Sequence, residues 1–560
     1  MAAVDVSAPS TEQAPARPRR RALGSLALGG LVVLPVLLAT AEAIRSPKLN
    51  FWDYWVVLVK STDANGGLTD GAWTLHNEHP AVLASTAFWL DAKFFDGYNY
   101  VLGLFCVALS TGMLLALFRM LPPQLRGDRR LAVMVALSFL VFSSSATEYY
   151  GIGMSGTHWL LGLAPAVISL SFAHHGRTIP ALVFAVIGSL GHGAAFPVWV
   201  VLALVAWLRR ERAWRVVTPL VLGVVVLVLW SLAERREQPL IQLLGADSYL
   251  ATALTMVGQA WVSRAIDVAS FAGAAIAVVL GALLYRAARD RNAAASVELD
   301  RPVPRDYAGW IGLGLHALMV AVLIGYGRAR FSVNEGLSPR MAMVSLLAAG
   351  AVVVLLAVLG PEPLRRRVIP LSLVVAVGTF AVGTYQAGAT RSYYPKQPVL
   401  AVAMHVEAES VMHKMTATPD VVSRLRGLRA YPFSDDFTLG CRGPELGSTV
   451  DLAGARELPA PKYDSGRTMG AVETGAPIGD TEILGWAQVD GRMVDCVLVV
   501  DRSGLVVGGG AVGLPRPDVR DVLPTGSGRS GFSAVAEPGR EDLVVVVSSG
   551  GTLYRITTVV

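Results

Sequence analysis

Charge is scarce in this sequence. Only 16% of its 560 residues are Asp, Glu, Lys or Arg, against 53% hydrophobic residues, and the mean hydropathy is +0.50. A water-soluble chain would carry about a quarter charged residues, so that class is excluded and a polytopic membrane protein is implied. Cysteine is scarce too, three in all. Cys106 lies in an apolar run, whereas Cys441 and Cys496 fall in the polar C-terminal region, where an oxidising compartment would let them pair. Several chemical signatures are missing. There is no Walker-type or Ser-His-Asp pattern. The run His76-Asn77-Glu78-His79 is not H-E-x-x-H, because its histidines stand at i and i+3. Gly508, Gly509 and Gly510 follow a strand-like run, but no helix start of the phosphate-binding kind follows them. No repeat of solenoid period is present. The net charge of +6 sits in short arginine clusters between apolar runs, a pattern that orients helices in a bilayer and argues against a nucleic-acid partner.

What is abundant is apolar stretches of spanning length. Residues 1–16 are small and polar and are expected to be disordered, within a cytoplasmic N-terminus of residues 1–22. Arg17, Arg19, Arg20 and Arg21 precede a first apolar stretch from Leu23 to Ile44. A signal peptide shares that layout, but no clean A-x-A cleavage site ends the stretch, so it reads as an uncleaved helix. Further spans follow at Tyr100–Phe118, Leu131–Ser145, His158–Ala173, Val216–Leu232, Val268–Tyr285, Trp310–Tyr326, Met341–Leu359 and Ile369–Gln386. Ala181–Trp207 is too long for one plain helix and too short for two full spans. With arginines on both flanks, it predicts two short helices meeting at Gly191-His192-Gly193, which a bilayer tolerates only if protein or a watery cavity shields the break. The sum is about eleven transmembrane helices over residues 23–388, N-terminus inside, with external loops at 45–99, 146–157, 233–267 and 327–340. Segments 80–95 and 249–264 read as interfacial helices. Residues 389–560 form an extracytoplasmic C-terminal domain, helical at 396–416. Short apolar runs such as Cys496–Val500 and Leu543–Val547 then predict a mostly-β sandwich or barrel.

On this threading the polar residues gather on one side. Asp53 lies among Phe51, Trp52, Tyr54 and Trp55, and His76, Asn77, Glu78 and His79 follow in the same loop. Glu148, Tyr149, Tyr150 and His158 occupy the second loop, His192 the outward kink, and Arg328, Arg330, Glu335 and Arg340 the loop GRARFSVNEGLSPR. Tryptophans beside a span also serve as interfacial anchors, and one such loop alone would read as a surface ion-pair network. Four loops converging on one face point to a site, since ionisable groups near hydrocarbon are costly. Arginine forks suit phosphate. A carboxylate in an aromatic, poorly hydrated pocket would have its pKa raised toward a useful base value. His76, His79 and a carboxylate leave a divalent metal open as a cofactor. His174 and His175 read as a solvated turn, and His316 as a packing residue.

The acidic first external loop and the architecture resemble the GT-C class of glycosyltransferases, which use polyprenyl-phosphate sugars on the outer membrane face. Asp53 in FWDYW matches, by position, that class's acidic base or substrate anchor. The fuller pattern of WDYW, then Asn77-Glu78-His79, then Gly327-Arg328…Ser338-Pro339-Arg340 is similar to a group of bacterial polytopic proteins. Residues Gly485-Trp486-Ala487 to Val500-Asp501 resemble a β module attached to such proteins in actinobacteria. The resemblance implies a plasma-membrane enzyme, Asp53 and Glu78 its catalytic pair, Trp52, Trp55, His76, Asn77, His79, Glu148, His158, His192, Arg328, Arg330, Glu335 and Arg340 its substrate contacts. The donor would be a polyprenyl-phosphate-linked sugar and the acceptor an envelope polysaccharide or glycolipid, among membrane lipids. Many members pair acids in the first loop, whereas Asp53 stands alone there until Glu78. A polymerase or ligase of lipid-linked oligosaccharides and a non-enzymatic lipid-linked glycan transporter are the alternatives. The transporter would need polar groups spread through the bilayer.

Overall fold

The computed structural model describes residues 18–233, 246–261, 265–293, 303–329, 333–460, 467–473, 479–522 and 527–557. The expectation of disorder over 1–16 lies outside them, as does Arg330. Among the described residues nine helices are long and apolar enough to cross a membrane. They are Gly24–Arg45, Asn99–Arg119, Gly127–Gly151, Gly153–His174, Ala213–Leu232, Ile266–Asn292, Pro304–Arg328, Pro339–Leu359 and Glu362–Val406. Two shorter apolar helices, Thr178–Gly191 and Val198–Leu208, make the expected split hairpin, tied across its arms by Trp199 Nε1–H donating to Ser189 Oγ at 3.0 Å. Ala213–Leu232 buries only Pro219 and Gly223 and exposes leucine and valine around most of its surface, as a helix facing lipid does.

The arginine clusters collect at one end of the bundle. There Arg130 donates to Phe118 O, Arg209 to Arg305 O, Arg291 to Trp207 O and Arg129 to Arg365 O. Those to Phe118 and Trp207 cover carbonyls that helix C-termini leave without intrahelical partners, whereas Arg305 and Arg365 lie in first turns. The first long loop and the C-terminal domain occupy the other end. In that loop, Asp53–Ser61 forms a helix, β1 (Leu75–His76) and β2 (His79–Pro80) form a tight hairpin, and Val82–Phe94 forms a helix. Val82–Phe94 buries Ala84, Phe88 and Ala92 and exposes Leu90 and Phe94, the two-sided surface expected of an interfacial segment.

Three expectations need correction. Residues 146–157 are not a loop: Thr147–Gly151 and the first turns of Gly153–His174 are helical and buried. Packed neighbours exclude water there, and helix is the way for that backbone to satisfy its own polar groups. The described part of 249–264 is not a surface-lying helix. Ala246–Gly258 is packed into the bundle, with Thr252, Thr255, Met256 and Val257 buried; Thr255 and Ser270 share a hydrogen bond at 2.7 Å, so its polar residues are satisfied inside. Arg328 closes the Pro304–Arg328 helix rather than sitting in a loop.

The C-terminal region begins with three helices, Gln397–Val406, Glu409–Lys414 and Pro419–Leu428, the last not anticipated. Beyond them lie β3 (Arg456–Leu458), β4 (Met469–Val472), β5 (Ile483–Val489), β6 (Arg492–Met493), β7 (Cys496–Val500), β8 (Val506–Leu514), β9 (Gly531–Ala536), β10 (Val544–Ser549) and β11 (Thr552–Ile556). They form one sheet in the order β3-β11-β10-β7-β8-β9-β5-β4, with β6 on β5; only the β3–β11 pairing is parallel. The sheet curls until its ends meet, where Gly470 N–H donates to Pro459 O at 3.2 Å. Of the two expected forms, this is the barrel-like one. Period-2 alternation divides the strands between two cores. Val497, Val499, Val545 and Val547 fill the inside of the curl. Cys496, Leu498, Val500 and Val546 face outward and join Val399, Met404, Val422, Tyr54, Trp55 and Phe88 in a single cluster. The β layer, the short helices and the first loop therefore share one apolar core. The glycines of β8 are explained by close strand approach: a Cβ on Gly508 or Gly510 would meet the carbonyl oxygens of Val535 or Ser533 at 2.1 and 2.0 Å.

Cys441 and Cys496 form a disulfide that closes a sequence separation of 55 residues and pins the segment after the helices to β7. Loop-closure entropy of that size corresponds to about 4 kcal/mol. Replacing both cysteines by serine should lower the thermal unfolding temperature of the C-terminal region and expose it to protease; an unchanged melting profile would show that the bridge contributes nothing there.

Candidate functional site

The polar residues of the first loop meet the bundle at a cleft of about 460 Å3. It is lined by Asp53, His76, Asn77, His79, Met154, Ser155, His158, Trp159, His192, Arg328 and Arg340. Four separate stretches of sequence contribute, and each is delivered by an interruption in regular structure.

The His76-Asn77-Glu78-His79 run is a two-residue hairpin turn in which His76 and His79 pair across the strands. Asn77 takes φ 53°, a left-handed conformation that asparagine tolerates well, so its place at the tip suits the turn. His76 lies over His158 with ring centroids 5.5 Å apart, and His79 lies over His192 at 4.2 Å. Phe88 meets His158 edge-on at 5.2 Å, and Trp159 meets His192 at 4.7 Å. His192 sits at the break of the split hairpin, and its Nδ1 accepts from Ala194 N–H at 3.0 Å, so the ring's proton is on Nε2 when it is neutral. A Cβ on Gly193 would come within 2.9 Å of His79 Nδ1. That spot must be glycine for the hairpin to seat.

Asp53 opens its helix half-exposed, with Oδ2 3.5 Å from His76 Nε2. Polar contact with His76 holds its carboxyl below the usual range, outweighing partial burial, and the charges of His158 and Arg340 act in the same direction. The expectation of a raised pKa is therefore corrected. The aromatic residues that prompted it point elsewhere: Phe51, Tyr54 and Trp55 are buried in the core shared with the C-terminal helices, and Trp52 packs edge-on against Tyr393 at 5.1 Å. Neither Trp52 nor Trp55 lines the cleft. Burial, aided by the positive charge of Arg328, brings the His79 imidazole down to about 3, so it is neutral at ordinary pH.

Arg340 stands in the short helical turn before Ala342–Leu359, 3.4 Å from Glu335, and its Nε is buried with no hydrogen-bond partner. The Tyr149 hydroxyl donates to the Arg340 carbonyl, fixing the backbone beneath it. Glu148 is buried just behind, accepting from Ser155 Oγ at 2.7 Å. Glu78 and Glu335 stand outside the lining. Glu78 lies on the Arg328 side, where a Cβ on Gly327 would be 3.4 Å from its Oε2, and its carbonyl accepts from Trp230 Nε1–H at 2.9 Å. Like Arg340 Nε, His158 Nε2 is buried without a hydrogen-bond partner, and His76 Nε2 has only the 3.5 Å approach of Asp53 Oδ2. Buried nitrogens left this way on one small surface are what a polar ligand would satisfy. Among the described residues, no three His, Cys, Asp or Glu side chains are grouped to hold a metal ion.

Met154, Ser155 and Trp159 were not singled out from the sequence. Together with His158 they stand at i, i+1, i+4 and i+5, one face of a helix. That spacing would have exposed them had 146–157 been read as helical.

Two outcomes follow from this geometry. Gly193→Ala should displace His79 and destabilise the protein by about 1–3 kcal/mol, and removing the ring with His79→Ala in the same chain should recover most of the loss; strict additivity of the two changes in a thermal melt would disprove the contact. His79 binds its proton more weakly folded than unfolded, at about 3 against 6.5. The unfolded chain therefore gains protons first on acidification, and stability falls as pH drops from 6.5 toward 3. Asp53, lowered from 3.8, adds a loss in the same direction at the acid end of that window. The unfolding temperature should decline through this range, and His79→Asn should flatten the decline.

No family model, curated protein or solved structure matches this chain.

Proposed function

We propose that the protein is a membrane glycosyltransferase that moves a sugar from a polyprenyl-phosphate donor to an envelope glycan or glycolipid on the outer face of the plasma membrane. The observation that carries this reading is the cleft itself, which joins an ionised carboxylate, Arg328 and Arg340, and the unpartnered Nε2 of His158. The orientation rests on two features: arginine clusters at the opposite end of the bundle, as on the cytoplasmic side of bacterial membrane proteins, and a disulfide in the C-terminal domain, as in an oxidising compartment.

In the proposed step an acceptor hydroxyl attacks the anomeric carbon of the donor sugar. The new C–O bond forms as the bond to the donor phosphate breaks, and the bonding pair leaves on the phosphate oxygen. Asp53 takes the hydroxyl proton. It is ionised at neutral pH, and its lowered pKa makes it a weaker base than an unperturbed aspartate, so the proton passes to it only as the C–O bond forms. Arg328 and Arg340 face the charge that grows on the leaving phosphate. His76 and His158 have nitrogens available to orient sugar hydroxyls. Glu148 and Tyr149 act by holding the wall around Arg340.

Asp53→Asn should lower transfer at least 100-fold while membrane insertion and the thermal melt stay intact. An undiminished rate from a radiolabelled polyprenyl-phosphate sugar would remove Asp53 from the chemistry. Products of one added sugar from a single-sugar donor support the transferase; long products would favour the polymerase or ligase.

A further inference from the structure

A second cavity, of about 600 Å3, lies at the basic end of the bundle, away from the cleft. It lies along the seam between two packed helices. Gly112, Leu115, Ala116 and Arg119 come from Asn99–Arg119, and Ile168, Ser171, Phe172 and His175 from Gly153–His174 and its cap. On each helix the spacing is i, i+3, i+4 and i+7, so one stripe of each lines the groove. Its floor is apolar. Ser171 is already bonded to Ala116 O at 3.2 Å, and Phe172 is stacked on Phe184 at 5.5 Å. A Cβ on Gly112 would meet nothing within 4 Å, so the groove is open at its deep end.

The mouth is cationic. Arg119 and Arg177 are exposed there, beside His175, whose Nδ1–H donates to Ser171 O at 2.7 Å and leaves Nε2 available. Neighbouring arginines at this end are engaged: Arg130 with Phe118 O, Arg209 with Glu211, Arg215 with Glu211 and Gly176 O. Among the described residues, no carboxylate or carbonyl engages the guanidinium of Arg119 or Arg177. An apolar slot of this length, running along the helices and capped by two uncompensated guanidinium groups, has the layout of a lipid with an anionic phosphate headgroup. We propose that this groove binds one anionic phospholipid of the adjacent leaflet, with its phosphate between Arg119 and Arg177 and one acyl chain along Gly112, Leu115, Ile168 and Phe172. The site is independent of the transferase reading, since it needs only that the bundle lies in a membrane.

The test is native mass spectrometry of the full-length protein in nonionic detergent, titrated with phosphatidylglycerol or phosphatidylcholine. The wild type should bind its first phosphatidylglycerol roughly 20-fold more tightly than the Arg119→Gln/Arg177→Gln variant. The Arg366→Gln/Arg367→Gln variant loses the same two charges outside the groove and should bind like the wild type. Gly112→Leu fills the chain slot and should weaken both lipids while leaving the lipid-free melting temperature unchanged, and it decides the matter alone if the arginine variant does not fold. Equal affinity of the wild type and Arg119→Gln/Arg177→Gln overturns the proposal, as does an equal drop in the control variant. Displacement of the lipid by millimolar inorganic phosphate would show a bare anion site and overturn it as well.

Discussion

Within a bilayer, every backbone N–H and C=O that a helix break releases must find a partner inside the protein. This constraint organises the bundle around its cleft. Three interruptions converge there: residues 142–153, the split hairpin at 191–197, and the described turns of 333–341. Each is sealed locally. Ser143 Oγ accepts from Ser145 N–H, and Thr147 donates to Ser144 O. Asn99, fully buried, accepts from Gly153 N–H and donates to Gly151 O, closing the joint between two helices with one side chain. His192 caps the turn that follows it, and Tyr149 bonds the carbonyl of Arg340. Irregular backbone at this depth is costly unless it is buried in protein or lines a cavity, and here it does both.

The first loop is the counterpart of those breaks. Its hairpin places two imidazoles across a turn, and each finds a different helix break: His76 reaches the helix that starts after Gly151, and His79 reaches the tip of the split hairpin. Its helix buries Tyr54 and Trp55 in the core that continues through Val399, Met404 and Val422 to Leu498 and Val546. The C-terminal domain thus anchors Asp53 from behind, while the bundle meets it from the front. A cleft built this way depends on the barrel-like sheet even though no strand of that sheet lines it.

Helix existence was legible because long apolar runs bounded by arginine carry their own signal, and the split at Gly191-His192-Gly193 was legible because flanking charge forbade a single span. The four histidines, Asp53 and Arg340 were also identifiable, since polar groups are rare enough here for each to stand out. What the pattern concealed was direction. The aromatics around Asp53 look in sequence like a clamp on it, but on a helix adjacent residues point about 100° apart, and Tyr54 and Trp55 turn into the core. The helical state of 146–157 was hidden because Ser, Thr, Gly and Tyr dominate it; only the surrounding bundle, which excludes water, makes helix the favourable state. The pairing of His76 with His79 could be guessed from Asn-Glu at a turn, yet nothing local indicates that their ring partners are 82 and 113 residues away.

The distribution of charge along the bundle bears on what such a cleft can do. A carrier that moves a polar group across a bilayer needs polar contacts along the whole route. Here the cleft's polar side chains, from Asp53 to Arg340, sit at one end, and the arginine clusters bonded to helix carbonyls sit at the other. Between them the helices are lined by Met113, Leu163, Val167, Leu313, Val320 and Leu347, all buried and apolar. Among the buried polar side chains further in, the hydroxyls of Ser138, Ser169 and Ser345 are spent on the carbonyls of Val32, Ala181 and Val257, and His316 is buried with neither ring nitrogen hydrogen-bonded. On the proposed reading, a lipid carrier's headgroup would reach the cleft from the membrane surface while its tail stays among the helices' lipid-facing sides.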